Sequence, residues 1–142
     1  MKIKDKIGLS PILKRFLSGH KWPVFEMLVF AKIKAKFRRV NKTGVLGQCI
    51  KRNNNQYIIK CDIGKYMLYP IEDIEFYGIY IKNEEEMIVW TFAHELRHLL
   101  FRLDFFSDNS EKSCNDFGRS LVKMYRNSPA ELLGFLVDMK IS

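Results

Sequence analysis

The stretch Asn83-Glu84-Glu85-Glu86-Met87-Ile88-Val89-Trp90-Thr91-Phe92-Ala93-His94-Glu95-Leu96-Arg97-His98-Leu99-Leu100-Phe101 decides how the chain is read. It opens on a strong helix start. Asn83 can cap the first turn, Glu86 stands at the capping-box position, and three acids face the positive end of the helix dipole. The residues that follow predict a helix over about 84–103. Inside it lies His94-Glu95-Leu96-Arg97-His98, an HExxH pattern. Residues four apart on a helix lie one above the other, so both imidazoles can reach one ion. Glu95 falls on the adjoining strip, close enough to touch a water on that ion without ligating it. Two imidazoles and a carboxylate suit Zn2+, which acidifies a coordinated water whose proton a carboxylate can take. Apolar residues at 90–93 and 99–101 would wall the site.

Two histidines need a third ligand, and none of the residues after His98 is a histidine. Asp104, Asp108, Glu111, Cys114 and Asp116 are the candidates. Glu111 is preferred because it opens a second helix, over about 110–126, which the loop 104–109 should fold back antiparallel against the first. Ser128-Pro129-Ala130-Glu131 then reads as the start of a third helix, near 129–139.

Upstream, Ser10-Pro11 predicts a helix over about 11–17. Residues 24–40 read as a helix giving way to a strand or an irregular basic segment, since 32–38 alternate with period two as an edge strand would. Runs at 45–51 and 56–62, separated by Arg52-Asn53-Asn54-Asn55, read as a hairpin. Residues 74–82 are a further strand candidate. The middle of the chain is thus expected to form a small antiparallel sheet.

At 142 residues and 47% hydrophobic, the chain is expected to be one domain over 1–142, and collagen-like, coiled-coil and disordered classes are excluded. No apolar run approaches the roughly 20 residues of a membrane helix, and no signal peptide is apparent. Three cysteines at unpatterned spacing imply reduced thiols and a cytoplasmic protein with no membrane partner. The net charge of +8 is uneven: residues 1–42 carry twelve Lys/Arg against two acids, and 43–142 carry twelve against fourteen. A basic N-terminal segment of this kind can attract phosphate backbones, with Lys32, Lys34, Lys36, Arg38 and Arg39 as the candidate contacts.

Residues 92–100, followed by Glu111-Lys112-Ser113-Cys114-Asn115-Asp116-Phe117-Gly118, resemble the small zinc metallopeptidases of the glutamate zincin group, in particular compact SprT-like and ImmA/IrrE-like proteins. The resemblance covers about a quarter of the chain, and HExxH is its specific part. It implies an α+β zincin-like fold, with a small antiparallel sheet against the HExxH helix and the helices after it. By position it makes Glu111 the third zinc ligand and Asn115 the residue that braces a metal-binding histidine. The sequence departs from the pattern in several places. Only twelve residues separate His98 from Glu111, Arg97 stands where ImmA-like chains usually have glycine, and neither the further histidine ligand nor the zinc ribbon common in SprT-like enzymes is present.

The expected function is therefore a zinc-dependent metallopeptidase hydrolysing peptide bonds in a peptide or protein substrate. His94, His98 and Glu111 would hold the metal and Glu95 would act as general base. The alternative is a nucleic-acid-associated regulatory or binding protein carrying a zincin-like domain. Tyr77, Tyr80 and Tyr125 are minor candidates for stabilising an oxyanion, and His20 reads as a loop residue.

Overall fold

Alternation places Ile33, Ala35 and Phe37 on the buried side of one strand and Lys34, Lys36 and Arg38 on the other. That division organises the sheet and fixes which face receives the helices. The computed structural model describes residues 1–18, 32–53, 55–72 and 79–141, with side chains through residue 127. Along them run β1 (Lys2–Asp5), α1 (Pro11–Leu17), β2 (Lys32–Val40), β3 (Val45–Lys51), β4 (Gln56–Gly64), α2 (Glu84–Arg102) and α3 (Glu111–Ile141).

The result is a small α+β domain with a four-stranded sheet in the order β1-β2-β4-β3. The expectation of an antiparallel sheet is corrected. β1 pairs with β2 in parallel, β2 pairs with β4 in parallel, and only β3 and β4 form an antiparallel hairpin. β2 is also interior rather than an edge. Its lysines signal a face without helices among the described residues, not a position at the rim, because long stems can lie along an open sheet surface while the ammonium groups stay in water.

Parallel β2 and β4 are joined through β3 by a short crossing. The chain leaves β2 at Val40, passes over the end of β4 at Gly64, and enters β3 at Val45. A Cβ on Gly64 would stand 2.6 Å from the Lys42 carbonyl oxygen and 3.0 Å from the Gly44 nitrogen, so glycine is required by close backbone approach. Lys65 N–H donates to the Val40 carbonyl (2.8 Å) and Tyr66 N–H to that of Lys42 (3.1 Å), closing the crossing.

The core lies between the sheet and α2. Ile33, Ala35, Phe37, Tyr57, Ile59, Cys61 and Ile63 face it from the strands, and Met87, Val89, Phe92, Ala93, Leu96 and Leu100 from the helix. Phe37 and Phe92 meet with ring centroids 6.0 Å apart. Helix α2 is buried almost all round because α3 covers its other side. Ser10 caps α1, accepting from Leu13 N–H, and Phe16 of α1 packs edge-on to Tyr125 of α3 at 5.2 Å.

Asn83 caps α2 as expected, its side chain accepting from Glu86 N–H at 3.0 Å. Ser110 caps α3, accepting from Ser113 N–H at 3.1 Å. The two helices expected at 110–126 and 129–139 are one, because the backbone stays helical through Ser128-Pro129. An interior proline loses its own amide from the ladder and crowds the carbonyl four residues back, yet the helix runs on through it, and the signals that start a helix do not end the one already running. Of the strand expected at 74–82, residues 74–78 lie outside the described residues, and Ile81 makes an isolated bridge to Ile71. The helix expected before residue 32 also lies outside them.

Candidate metal centre

Helices α2 and α3 run antiparallel, and their side chains meet in sequence along the contact. Near the start of α2, Tyr125 donates to Glu85 (2.5 Å) and Arg126 forms a two-pronged pair with Glu86 (2.9 Å each). Further on, Trp90 lies against Gly118, where a Cβ would stand 2.8 Å from the indole. That close approach sets the register two turns beyond, where His94 and His98 face the N-terminal turn of α3.

There Glu111 reaches both imidazoles. Its Oε2 lies 3.0 Å from His94 Nε2 and its Oε1 lies 3.4 Å from His98 Nε2. The two rings stand 5.2 Å apart at 68°. The histidine side chains are largely buried, whereas Glu111 is 72% exposed, so the cluster opens to solvent on the carboxylate side. Donors on a tetrahedron with metal bonds of about 2.0–2.1 Å are separated by about 3.3–3.4 Å. The His98–Glu111 distance matches that edge length, and the His94–Glu111 distance is the shorter one of a hydrogen-bonded ion pair.

The far nitrogen of His98 is engaged as well: Asn109 Oδ1 lies 2.8 Å from His98 Nδ1. Asn115 stands near His94 and favours its protonated form, while the buried His94 Nδ1 makes no hydrogen bond among the described residues. Cys114 Sγ lies 3.6 Å from His98 Nδ1. Ligand atoms of His94, His98 and Cys114 fall within 4.8 Å of one another, close enough to bind a metal ion. Cys114, however, approaches the nitrogen of His98 turned away from Glu111, so Glu111 and Cys114 lie on opposite ends of that ring.

The other candidate ligands are occupied elsewhere. Asp116 pairs with Lys112 and Arg119, each at 3.1 Å. Asp108 accepts from Ser110 N–H at 2.8 Å and from the hydroxyls of Ser110 and Ser113, holding the turn into α3. Asp104 sits in the turn after α2 with φ of 64°. Tyr125 is bound to Glu85 near the opposite end of α2, and the Tyr80 carbonyl accepts from Arg126. His20 and Tyr77 lie outside the described residues.

Glu95 points towards the sheet edge. A Cβ at Gly47 of β3 would stand 2.7 Å from Glu95 Cγ and Oε1, so the carboxylate occupies the space that a side chain would otherwise fill. Burial raises the Glu95 pKa above its ordinary value, partly offset by His98 and Arg102. Burial lowers that of His94 despite the neighbouring Glu111, and pushes the Cys114 thiol up to about 11. Gly47 and Asn109 were not among the residues singled out from sequence. Asn109 carried a faint signal, standing just before a Ser cap, whereas Gly47 carried none.

Lys32, Lys34 and Lys36 lie on the opposite side of the sheet from this centre. Arg38 and Arg39 are tied in ion pairs, to Asp62 at 2.7 Å and to Glu84 at 2.5 Å. Among the described residues, no helix is long and apolar enough to cross a membrane. Comparison with protein-family models, curated proteins and solved structures gives no match to this chain.

Proposed function

We propose that the chain is a zincin-like, zinc-dependent metallopeptidase of the glutamate type, acting on peptide or protein substrates in the cytoplasm. The observation that carries this reading is the Glu111 carboxylate, placed against the Nε2 atoms of both HExxH histidines at 3.0 and 3.4 Å. His94, His98 and Glu111 would hold the ion, Asn109 would fix the His98 ring through the contact described above, and Asn115, beside His94, would orient the other ring. Cys114 is a neighbour of His98 rather than a ligand in this arrangement. Zinc, when bound, supplies an acidified water and polarises the scissile carbonyl.

The chain's own groups do the rest. Glu95 accepts the water's proton on a carboxylate oxygen and returns it to the departing amine. Gly47 gives that carboxylate room beside the edge strand. Along β3, the backbone groups turned away from β4 pair with no strand among the described residues. They offer an extended peptide main-chain hydrogen bonds that position its carbonyl near the histidines.

Elemental analysis and a peptide-cleavage assay test this directly. The parent protein should carry about one zinc per chain and cleave peptides. Glu95→Gln should keep the zinc and lose hydrolysis, since an amide cannot accept the proton. Glu111→Gln should weaken zinc binding by about 10-fold or more, with activity partly restored by added zinc. Absence of stoichiometric metal after zinc-supplemented refolding would overturn the reading.

A further inference from the structure

The helices cover one face of the sheet, and the other face is dominated by lysine. The strand register sets these side chains in rows. Lys2 lies opposite Lys34, and Lys4, Lys36 and Lys60 form a continuous row across β1, β2 and β4. Like charges placed side by side on a sheet repel. Among the described residues, none of these five lysines makes an ion pair. The one acid in the next row, Asp62, is held by both prongs of Arg38 at 2.7 and 3.0 Å. A pocket of about 160 Å3 opens between Lys4, Lys36 and Lys60. Lys36 is held below its ordinary pKa by partial desolvation and then by the charges of Lys34, Lys4, Lys60 and Arg52.

We propose that this face binds the phosphodiester backbone of duplex nucleic acid, through Lys2, Lys4, Lys34, Lys36 and Lys60. The occupant follows from the chemistry of the rows. They present a two-dimensional array of ammonium groups, which matches a surface of closely spaced phosphates better than an isolated anion. No aromatic side chain stands in the rows to stack an unpaired base, so the contacts are to the backbone and not to base edges. The face lies across the sheet from α2, leaving the metal centre open while nucleic acid is held. The assignment differs from the one suggested by composition: Lys60 comes from outside the basic N-terminal segment, and Arg38 and Arg39 are excluded by their ion pairs.

Fluorescence anisotropy of a labelled DNA duplex with the full chain tests the proposal. Five lysine–phosphate contacts should give a slope of log affinity against log salt near −4.5, with little dependence on base sequence. Replacing Lys4, Lys36 and Lys60 together by glutamine should weaken binding at least about tenfold at low salt and make the slope shallower by about 3. Lys123→Gln, exposed on α3, should bind as the parent does. Thermal melting checks folding of the triple variant; should it melt early, Lys2→Gln with Lys34→Gln tests the neighbouring row, with a slope change of about 2. Absence of salt-dependent binding, parental affinity in the folded variants, or preferential retention on phosphatidylserine vesicles over the duplex would each overturn it.

Discussion

Gly47 matters for the side chain it lacks. The Glu95 carboxylate fills the place of a Cβ there, at 2.7 Å, and it is the far end of a flexible side chain that would yield to a methyl group. Gly47→Ala should therefore leave the fold and the zinc content intact while swinging Glu95 away from its position. A misplacement of about 1 Å costs on the order of 100-fold in rate, so peptide cleavage should fall between tenfold and that figure. Gly44→Ala is the control, since nothing lies within 4 Å of the new Cβ, and it should cleave as the parent does. Residues such as His94, Glu95 and His98 were legible in the sequence because helical spacing alone fixes their mutual placement. Glu111 was legible once the short loop implied an antiparallel return. Gly47 was not, because its meaning depends on an edge strand packing against a helix more than thirty residues further along the chain.

At the scale of elements, α2 and α3 are clamped at one end by a buried carboxylate and a guanidinium. Glu86 accepts from both Arg126 nitrogens at 2.9 Å and from the Lys82 N–H at 2.9 Å. Burial alone would raise the Glu86 pKa, but these donors outweigh it and hold it below the ordinary 4.5. A carboxylate with a lowered folded pKa contributes stability that is complete above its unfolded pKa and is lost as pH falls through the folded value. The Glu86 contribution, read as the difference in urea midpoint between the parent and Glu86→Gln, should thus hold steady above about pH 5 and shrink below about 4.5. Arg126→Ala should cost about 2–3 kcal/mol, less than the roughly 3–5 for a fully buried pair because the arginine is partly exposed. The hairpin of β3 and β4 and the start of α2 could be read from local signals. The place of β2 could not: alternating lysines show which face is open but not which neighbours flank the strand. Pro129 misled in the other direction, since a good helix start is also compatible with an uninterrupted helix.

For the molecule as a whole, the two sides of the sheet differ in kind among the described residues, one buried under helices and the other lined by lysines. The alternation of apolar and basic residues made that division readable, while the parallel order β1-β2-β4 was hidden because it depends on contacts between distant segments. The same contrast governs how the molecule assembles. His94, His98 and Glu111 all belong to one helical hairpin, with only twelve residues between the last two. Closing so short a loop loses little chain entropy, whereas the pairing of Lys2 with Lys34 and of Lys32 with Gln56 joins segments far apart. The proposed ligand cluster can therefore come together before the sheet is complete. Zinc at about 100 times its dissociation constant should stabilise the fold by about 2.7 kcal/mol. In stopped-flow experiments most of that gain should appear as faster refolding, with the unfolding limb nearly unmoved. A gain confined to slower unfolding would mean that the hairpin closes only after the parallel strands have found each other.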